Sequence, residues 1–506
     1  MALSADSSAT ALGRFGIAPA ADAIRSWLVR MRWFGGRQRE VERIELDDLA
    51  PLRREAPIVL FTLWRVQYAD AEPELYSLPI GIRSAPHPVA QLGADHLIAT
   101  VASVQGTLLV YDALADPESA LELWRMLAEE RQVATDSGQL LTRRLAEIDP
   151  LLPDQPQLLG VEQSNSALVR DQLDFLKWSR RIEPGPSVEL EMAETLGERR
   201  FPHIATLLGH LSYRRGEGHP SLQALLHAYL QNGTEGWQLA LTSLRDLYAS
   251  AEESEAGSAR ERWELVEEQG GSFQGEAARL GAVTADLHLA LADPSLSGVL
   301  APVPVRRAQL AAWADSMTRQ LDQLLEGGEP ALAALAERRD LIVARFDALR
   351  HLREGGQAIR VHGDYHLAQV LRTDEGWKIV DFGGEPAGEV EERRHRSSPL
   401  RDVAGMLRSF DYAAGAALAE RMRPEDPLWP HLYAAGAAWA NANREAFWAA
   451  YLERVRGSQL LPGGGGALVV RRAFELRKAI YEVGYELGHR PDWAVIPLSF
   501  LLSGTP

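Results

Sequence analysis

A chain of 506 residues exceeds one ordinary hydrophobic core and predicts two to four structural units. Hydrophobic residues at 46% and charged residues at 24% fit a globular protein and exclude collagen-like, coiled-coil and disordered classes. With 70 acidic against 53 basic residues, the formal charge of −17 repels phosphate backbones and anionic lipid; it argues against nucleic acid or a membrane as partner, yet permits a nucleotide held by a few placed lysines and a metal.

In chain order, a helical segment near 21–32 comes first, followed by IVLFTLWRVQY, whose clustered β-branched and aromatic residues predict a strand. Residues 97–115 read as two strands turning at Gln105-Gly106, and a Leu- and Glu-rich helix is predicted over 118–131. QSNSALVRDQLDFLK at 163–177 reads as strand, Asp-bearing turn and strand. The Pro184-Gly185-Pro186 loop then opens a helix whose Glu-rich start suits its N-terminus.

From about Gly236 onward Leu and Ala recur at three- and four-residue steps, the period of a helical lobe. One β island interrupts it, with strands over 370–372 and 377–380 around a turn at 373–376. The four glycines at 463–466 predict a flexible loop. The absence of cysteine excludes disulfides and thiolate metal sites and fits a reducing compartment. No signal-peptide pattern opens the sequence and no apolar run reaches bilayer length, so a soluble cytoplasmic protein is expected.

Phosphoryl transfer needs a group to take the acceptor hydroxyl's proton, a magnesium ion bridging the phosphates, and cations that balance the triphosphate. HGDYHLAQ supplies an Asp, four intervening residues and an amide, the spacing of a kinase catalytic loop. Asp364 is the candidate base, and Gln369 with Asp381 the candidate magnesium ligands. Either Asp alone is an ordinary turn residue; together they flank a hairpin, which brings one acid before its first strand and one after its second to the same end. Upstream, Lys177 at the end of LDFLK is the candidate for the α- and β-phosphates of ATP, and Glu189 its orienting ion-pair partner. Ser164, Asn165 and Ser166 form a candidate phosphate-covering turn that lacks the glycines of an ordinary nucleotide loop.

These residues sit in longer strings: RWFGG at 32–36, QSNSA at 163–167, LKWSRRIEPG at 176–185, HGDYHLAQVL at 362–371, VDFGGEPA at 380–387, SPLRDVAGMLRSFDYAA at 398–414 and YEVGYELGHRPDW at 481–493. In them the chain closely resembles the bacterial maltokinases, free-standing or fused to trehalose synthase, which share a eukaryotic-kinase-like fold with aminoglycoside and choline phosphotransferases. The resemblance implies an α+β, bilobal, protein-kinase-like fold. It divides the chain into an N-terminal cap subdomain at 1–92, a β-rich intermediate subdomain at 93–232 and a mostly helical C-lobe at 233–506. It implies ATP and Mg2+ as cofactors and transfer of the γ-phosphate to the anomeric hydroxyl of maltose, giving maltose 1-phosphate for α-glucan (glycogen) synthesis; an association with trehalose synthase stays open.

The resemblance places the catalytic Asp at Asp364, the metal ligands at Gln369 and Asp381, and the phosphate lysine at Lys177. For the sugar acceptor, Glu385, Lys478, Tyr481, Glu482 and Tyr485 are candidates, because sugars are bound by carboxylates and aromatic faces; Tyr481 and Tyr485 also share a helix face and fit a core. Asp402 reads as a brace for the catalytic loop, His362 and His366 as scaffold, and ERRHR at 392–396 as a solvated loop. Two positions depart from the family pattern: Gly383 replaces an acid and Ala368 a glycine. A glucosamine or other aminosugar kinase of the same fold is the first alternative. The second, from another class, is a pseudokinase or binding module, motivated by Gly383 and the sparse phosphate loop and opposed by the joint presence of Lys177, Asp364, Gln369 and Asp381.

Overall fold

The structure is a computed structural model describing residues 5–37, 39–104, 106–148, 156–159, 165–253, 266, 271–385 and 390–503. It divides into two compact units, Met1–Gly197 with Ala205–Gln231, and Glu198–Ile204 with Asn232–Pro506.

The first unit is built on two antiparallel sheets. One contains β1 (Val41–Arg53), β2 (Ile58–Tyr68), β3 (Glu74–Ser77), β4 (Ile80–Ser84), β5 (Leu97–Ser103) and β6 (Gly106–Asp112). Gln105, in the expected turn between the last two, lies outside the described residues. The unbroken apolar run of β2 dictates burial on both faces. Leu60, Trp64 and Val66 enter one core with the helices α1 (Ala5–Gly13) and α2 (Ala21–Leu28), while Val59, Phe61 and Leu63 enter a second with α3 (Pro117–Ala128). The other sheet has the order β7-β8-β13-β14-β11-β10-β9, with β7 (Val133–Ala134), β8 (Gly138–Arg144), β9 (Gln157–Leu158), β10 (Asn165–Arg170), β11 (Asp174–Ser179), β13 (Leu207–Arg215) and β14 (Ser221–Ala228). β12 (Arg181–Ile182) leaves it to pair with β3.

The second unit is mostly helical, as the Leu and Ala spacing predicts. Its β island is three-stranded rather than two-stranded: β15 (Thr234–Glu235) pairs β18 (Val370–Thr373), which pairs β19 (Gly376–Ile379). The four-glycine run is only partly loop. Gly464 and Gly465 take φ of 58° and 82°, and Gly466 opens the helix Gly466–His489, so the glycines form the left-handed turn that starts it. Among the described residues no helix is long and apolar enough to cross a membrane.

The two sheets of the first unit are tied by a buried charge. Arg180, between β11 and β12, is fully buried; its Nη2 lies 2.5 Å from Asp112 Oδ2 at the end of β6, its Nε donates to Ser166 Oγ at 2.8 Å, and its guanidinium sits 4.8 Å from the Trp33 ring. Removing one member of such a pair strands the other charge in the interior. We expect Asp112→Ala to lower the stability of the full chain by about 3–5 kcal/mol in urea unfolding; a loss below about 1 kcal/mol would mean the guanidinium finds water instead.

Candidate active site

Two loops of the second unit are held together through Val380. Its N–H donates to the backbone carbonyl of Gln369 at 3.0 Å, and its carbonyl accepts from His362 Nε2 at 2.9 Å. The segments carrying Asp364, Gln369 and Asp381 therefore meet at the open end of the β18–β19 hairpin. Asp402, on the helix Leu400–Arg421, is fully buried and accepts the N–H groups of His362 at 2.8 Å and Gly363 at 2.9 Å. His288 Nε2 lies 3.2 Å from the same carboxylate, and its other ring nitrogen is 2.9 Å from the Tyr451 hydroxyl. Burial acts to raise the Asp402 carboxyl, but His288 and the loop N–H groups outweigh it and hold it below the ordinary range. The helix approaches closely at Gly405, where a Cβ would fall 2.6 Å from the Tyr365 carbonyl oxygen.

Asp381 ends this assembly in a left-handed conformation, φ 61°, with its side chain exposed. Such backbone is costly for a non-glycine residue and concentrates at functional sites. A carboxylate and an amide oxygen are hard donors of the kind magnesium takes, so Asp381 and Gln369 fit that ion chemically. Among the described residues no group of three or more His, Cys, Asp or Glu could hold a metal alone, and magnesium held partly by substrate phosphates needs none.

Asp364 is engaged by a lysine. Lys478 Nζ, on the helix Gly466–His489, is 3.3 Å from Asp364 Oδ1 and 3.2 Å from Glu385 Oε1, and lies 4.7 Å from the centre of the Tyr481 ring. Burial would raise the Asp364 carboxyl; His366, whose Nε2 is 3.6 Å away, and the Lys478 charge hold it well below the ordinary range. Burial would lower Lys478, and the Glu385 and Asp364 charges raise it above its usual value. Arg401 Nη2 adds a contact to Glu385 at 3.5 Å. A cavity of about 40 Å³ here, with Gln320, Arg401 and Arg477 on its wall, has room for a water or two.

Tyr485 is 45% exposed and stacks at 4.2 Å on His489, so it is no core residue; Glu482 is taken by Arg408, 2.8 Å from Nη2. The ERRHR run is more tied down than a solvated loop: Arg393 donates to the Gly383 carbonyl at 2.9 Å and Arg396 to that of Ala301 at 2.8 Å.

In the first unit, Lys177 Nζ is 2.8 and 3.0 Å from the two oxygens of Glu189 on the helix Val188–Glu198. Lys177 stands directly across from Ala167, and the two-residue period puts Asn165 on that face and Ser166 on the other. Ser166 must be corrected as a phosphate contact: it is buried, and its hydroxyl accepts from Arg180. Ser164 lies outside the described residues. Burial first, and then the Lys177 charge, push the His227 imidazole down to about 4.

Residues 27–116 match the maltokinase N-terminal cap domain and residues 243–434 the phosphotransferase enzyme family. The chain has a phosphotransferase-like kinase fold with an N-terminal cap. Over 463 residues it is 28% identical to a glucosamine kinase of Streptacidiphilus jiangxiensis, covering 86% of this chain and 96% of that one. A glucosamine kinase of Mycolicibacterium smegmatis (strain ATCC 700084 / mc(2)155) is 24% identical over 343 residues, covering 67% and 77%. A solved glucosamine kinase in complex with glucosamine, ADP and inorganic phosphate superposes with a TM-score of 0.62 at 22% identity, over 95% of this chain and 99% of that one.

The sequence reading missed Arg401, Arg477 and Gln320. Arg401 stood in the quoted string SPLRD, read only for its Asp; Arg477 precedes Lys478, and burial followed by the Arg401 charge lowers it to about 10. A depressed carboxyl stabilises the fold fully above its unfolded value and loses that contribution as pH falls through its folded one. The stability gap between wild type and Asp402→Asn should therefore be widest near neutrality and narrow below about pH 4. A gap that stays constant on acidification in urea titrations would show that Asp402 carries no linked proton.

Proposed function

We propose that this protein is an ATP-dependent kinase of a small sugar, with an aminosugar such as glucosamine as acceptor. The observation that carries the catalytic part is the double engagement of Val380, which holds the Asp364 loop against the Gln369 and Asp381 positions. In this reading Asp364 takes the proton of the acceptor hydroxyl as its oxygen attacks the γ-phosphorus. Gln369 and Asp381 would hold magnesium, which neutralises charge on the phosphates, and Lys177, oriented by Glu189, would bind the α- and β-phosphates. Asp364 is held ionised by His366 and Lys478, on a loop whose backbone N–H groups are anchored by Asp402, so it stands as a carboxylate able to receive that proton.

Support for the aminosugar comes from the two relatives named glucosamine kinase, one of them aligned over 86% of this chain. A neutral acceptor, the maltose implied by the sequence motifs, is the second reading, and one feature favours it. Lys478 already occupies the space between Asp364 and Glu385, where a substrate ammonium would otherwise find its counter-charges. Around that cavity Arg401, Arg477 and Lys478 outnumber the two carboxylates, a balance that disfavours a second cation.

With protein, ATP and magnesium fixed, glucosamine, maltose, glucose and trehalose supplied separately should separate these readings by ADP release. We expect glucosamine to give the highest rate; maltose alone giving release would transfer the acceptor assignment to the neutral disaccharide. Asp364→Asn should lower turnover by about 10²–10⁴-fold while nucleotide binding, followed by calorimetry, changes little. Undiminished turnover in that variant would remove Asp364 from the role of base.

A further inference from the structure

The second unit contains a cavity of about 580 Å³ that shares no lining residue with the one at Asp364. Its size falls within the range of small-molecule sites, roughly 300–1,000 Å³. Its walls carry the rings of Trp429, Tyr433, Trp448 and Phe500, with Phe500 supplied by the helix Val495–Leu502.

A chain of paired charges, buried at Arg408 and Glu475 and half-buried between, runs along one side. Arg408 links Glu482 at 2.8 Å to Asp411 at 3.0 Å; Arg444 links Asp411 at 2.8 Å to Glu475 at 2.6 Å. Arg471 Nε then lies 2.9 Å from Glu475 Oε1, but these two atoms, both shielded from solvent, do not meet in hydrogen-bonding geometry. Arg472, the next residue, has no ion-pair partner among the described residues, and neither has the exposed Glu445 at the rim. With Glu445 counted, the four guanidiniums are balanced by four carboxylates, but the guanidinium without an ion-pair partner among the described residues, Arg472, sits beside Arg471 at the end of the chain. Burial, and then the charges of Arg444 and Arg472, lower the Arg471 guanidinium against the pull of Glu475. Its Cζ lies 4.8 Å from the centre of the Trp448 ring.

We propose that this cavity is a second ligand site, for a phosphorylated sugar. Arg471 and Arg472 supply the charge that matches a phosphate, with donors in the fixed geometry that suits its oxygens. The Trp429 and Tyr433 rings on the cavity wall supply flat apolar faces for the sugar ring. The site does not depend on the kinase reading. The helix Gly466–His489 contributes to both cavities, turning Arg471, Arg472 and Glu475 to one and Phe474, Arg477 and Lys478 to the other.

Calorimetric titration of the full chain with glucose 6-phosphate, glucose and inorganic phosphate, each alone, tests the proposal. We expect glucose 6-phosphate to bind at least about tenfold more tightly than either half. Arg472→Gln, which breaks no ion pair, and Arg471→Gln should each weaken it by at least about tenfold, and Asp364→Asn should leave it unchanged. No binding of glucose 6-phosphate overturns the proposal, as does equal binding of phosphate alone. Binding that survives Arg472→Gln but is lost in Asp364→Asn overturns it too, by assigning the ligand to the other cavity.

Discussion

A charge that cannot reach water organises the candidate active site of the second unit. Asp402 sits in the interior, and an unpaired carboxylate there would be too costly to keep ionised. It is kept by three donors, the N–H groups of His362 and Gly363 and the His288 ring, and the first two belong to the loop that carries Asp364. Satisfying the buried acid and fixing that loop are therefore one event. His362 extends the constraint, because the ring attached to the anchored backbone donates to Val380 and orients the turn leading into Asp381. Asp364 itself contributes nothing to this scaffold and is left to interact with His366 and Lys478.

The lysine sets the electrostatics that follow. Two carboxylates near one another would normally push one of the pair toward its neutral form. Lys478, between Asp364 and Glu385, removes that pressure and is itself kept charged in a buried place by both. The Lys478 charge in turn helps to hold Asp364 ionised, so a molecule bound there would meet Asp364 as a carboxylate without any proton having first to leave the protein.

How much of this was legible in the sequence depended on whether the signal was local. The β18–β19 hairpin and the helical second unit follow from period and turn chemistry, and the spacing of Asp364, Gln369 and Asp381 was readable because the hairpin converts separation along the chain into proximity. The polar run around Ser166 reads as a turn, yet the alternation set by Leu168 and Arg170 places it inside the sheet's buried face. Arg401 and Arg477 were missed because each lies beside a more conspicuous residue, and only the folded helices show which side of each helix faces the cavity. The crossing of β12 into the first sheet had no sequence signal beyond two residues, since what fixes it is Arg180 meeting Asp112, 68 positions away.

Gly383 shows how an unexpected residue can be weighed by its geometry. Where glycine is needed for its backbone, φ is positive or a Cβ would collide, as at Gly363 and Gly405. Gly383 meets neither condition: its φ is not in the left-handed region, and a Cβ would rest 3.5 Å from Asp381 Oδ1, an ordinary contact. The chain therefore does not require glycine here; set against the acid that the family resemblance implies at this position, it removes charge without relieving strain. Relative to a chain with that acid, one fewer carboxylate would stand beside Asp381, which would weaken the local attraction for a cation. That effect arises from a position whose backbone would accept a side chain.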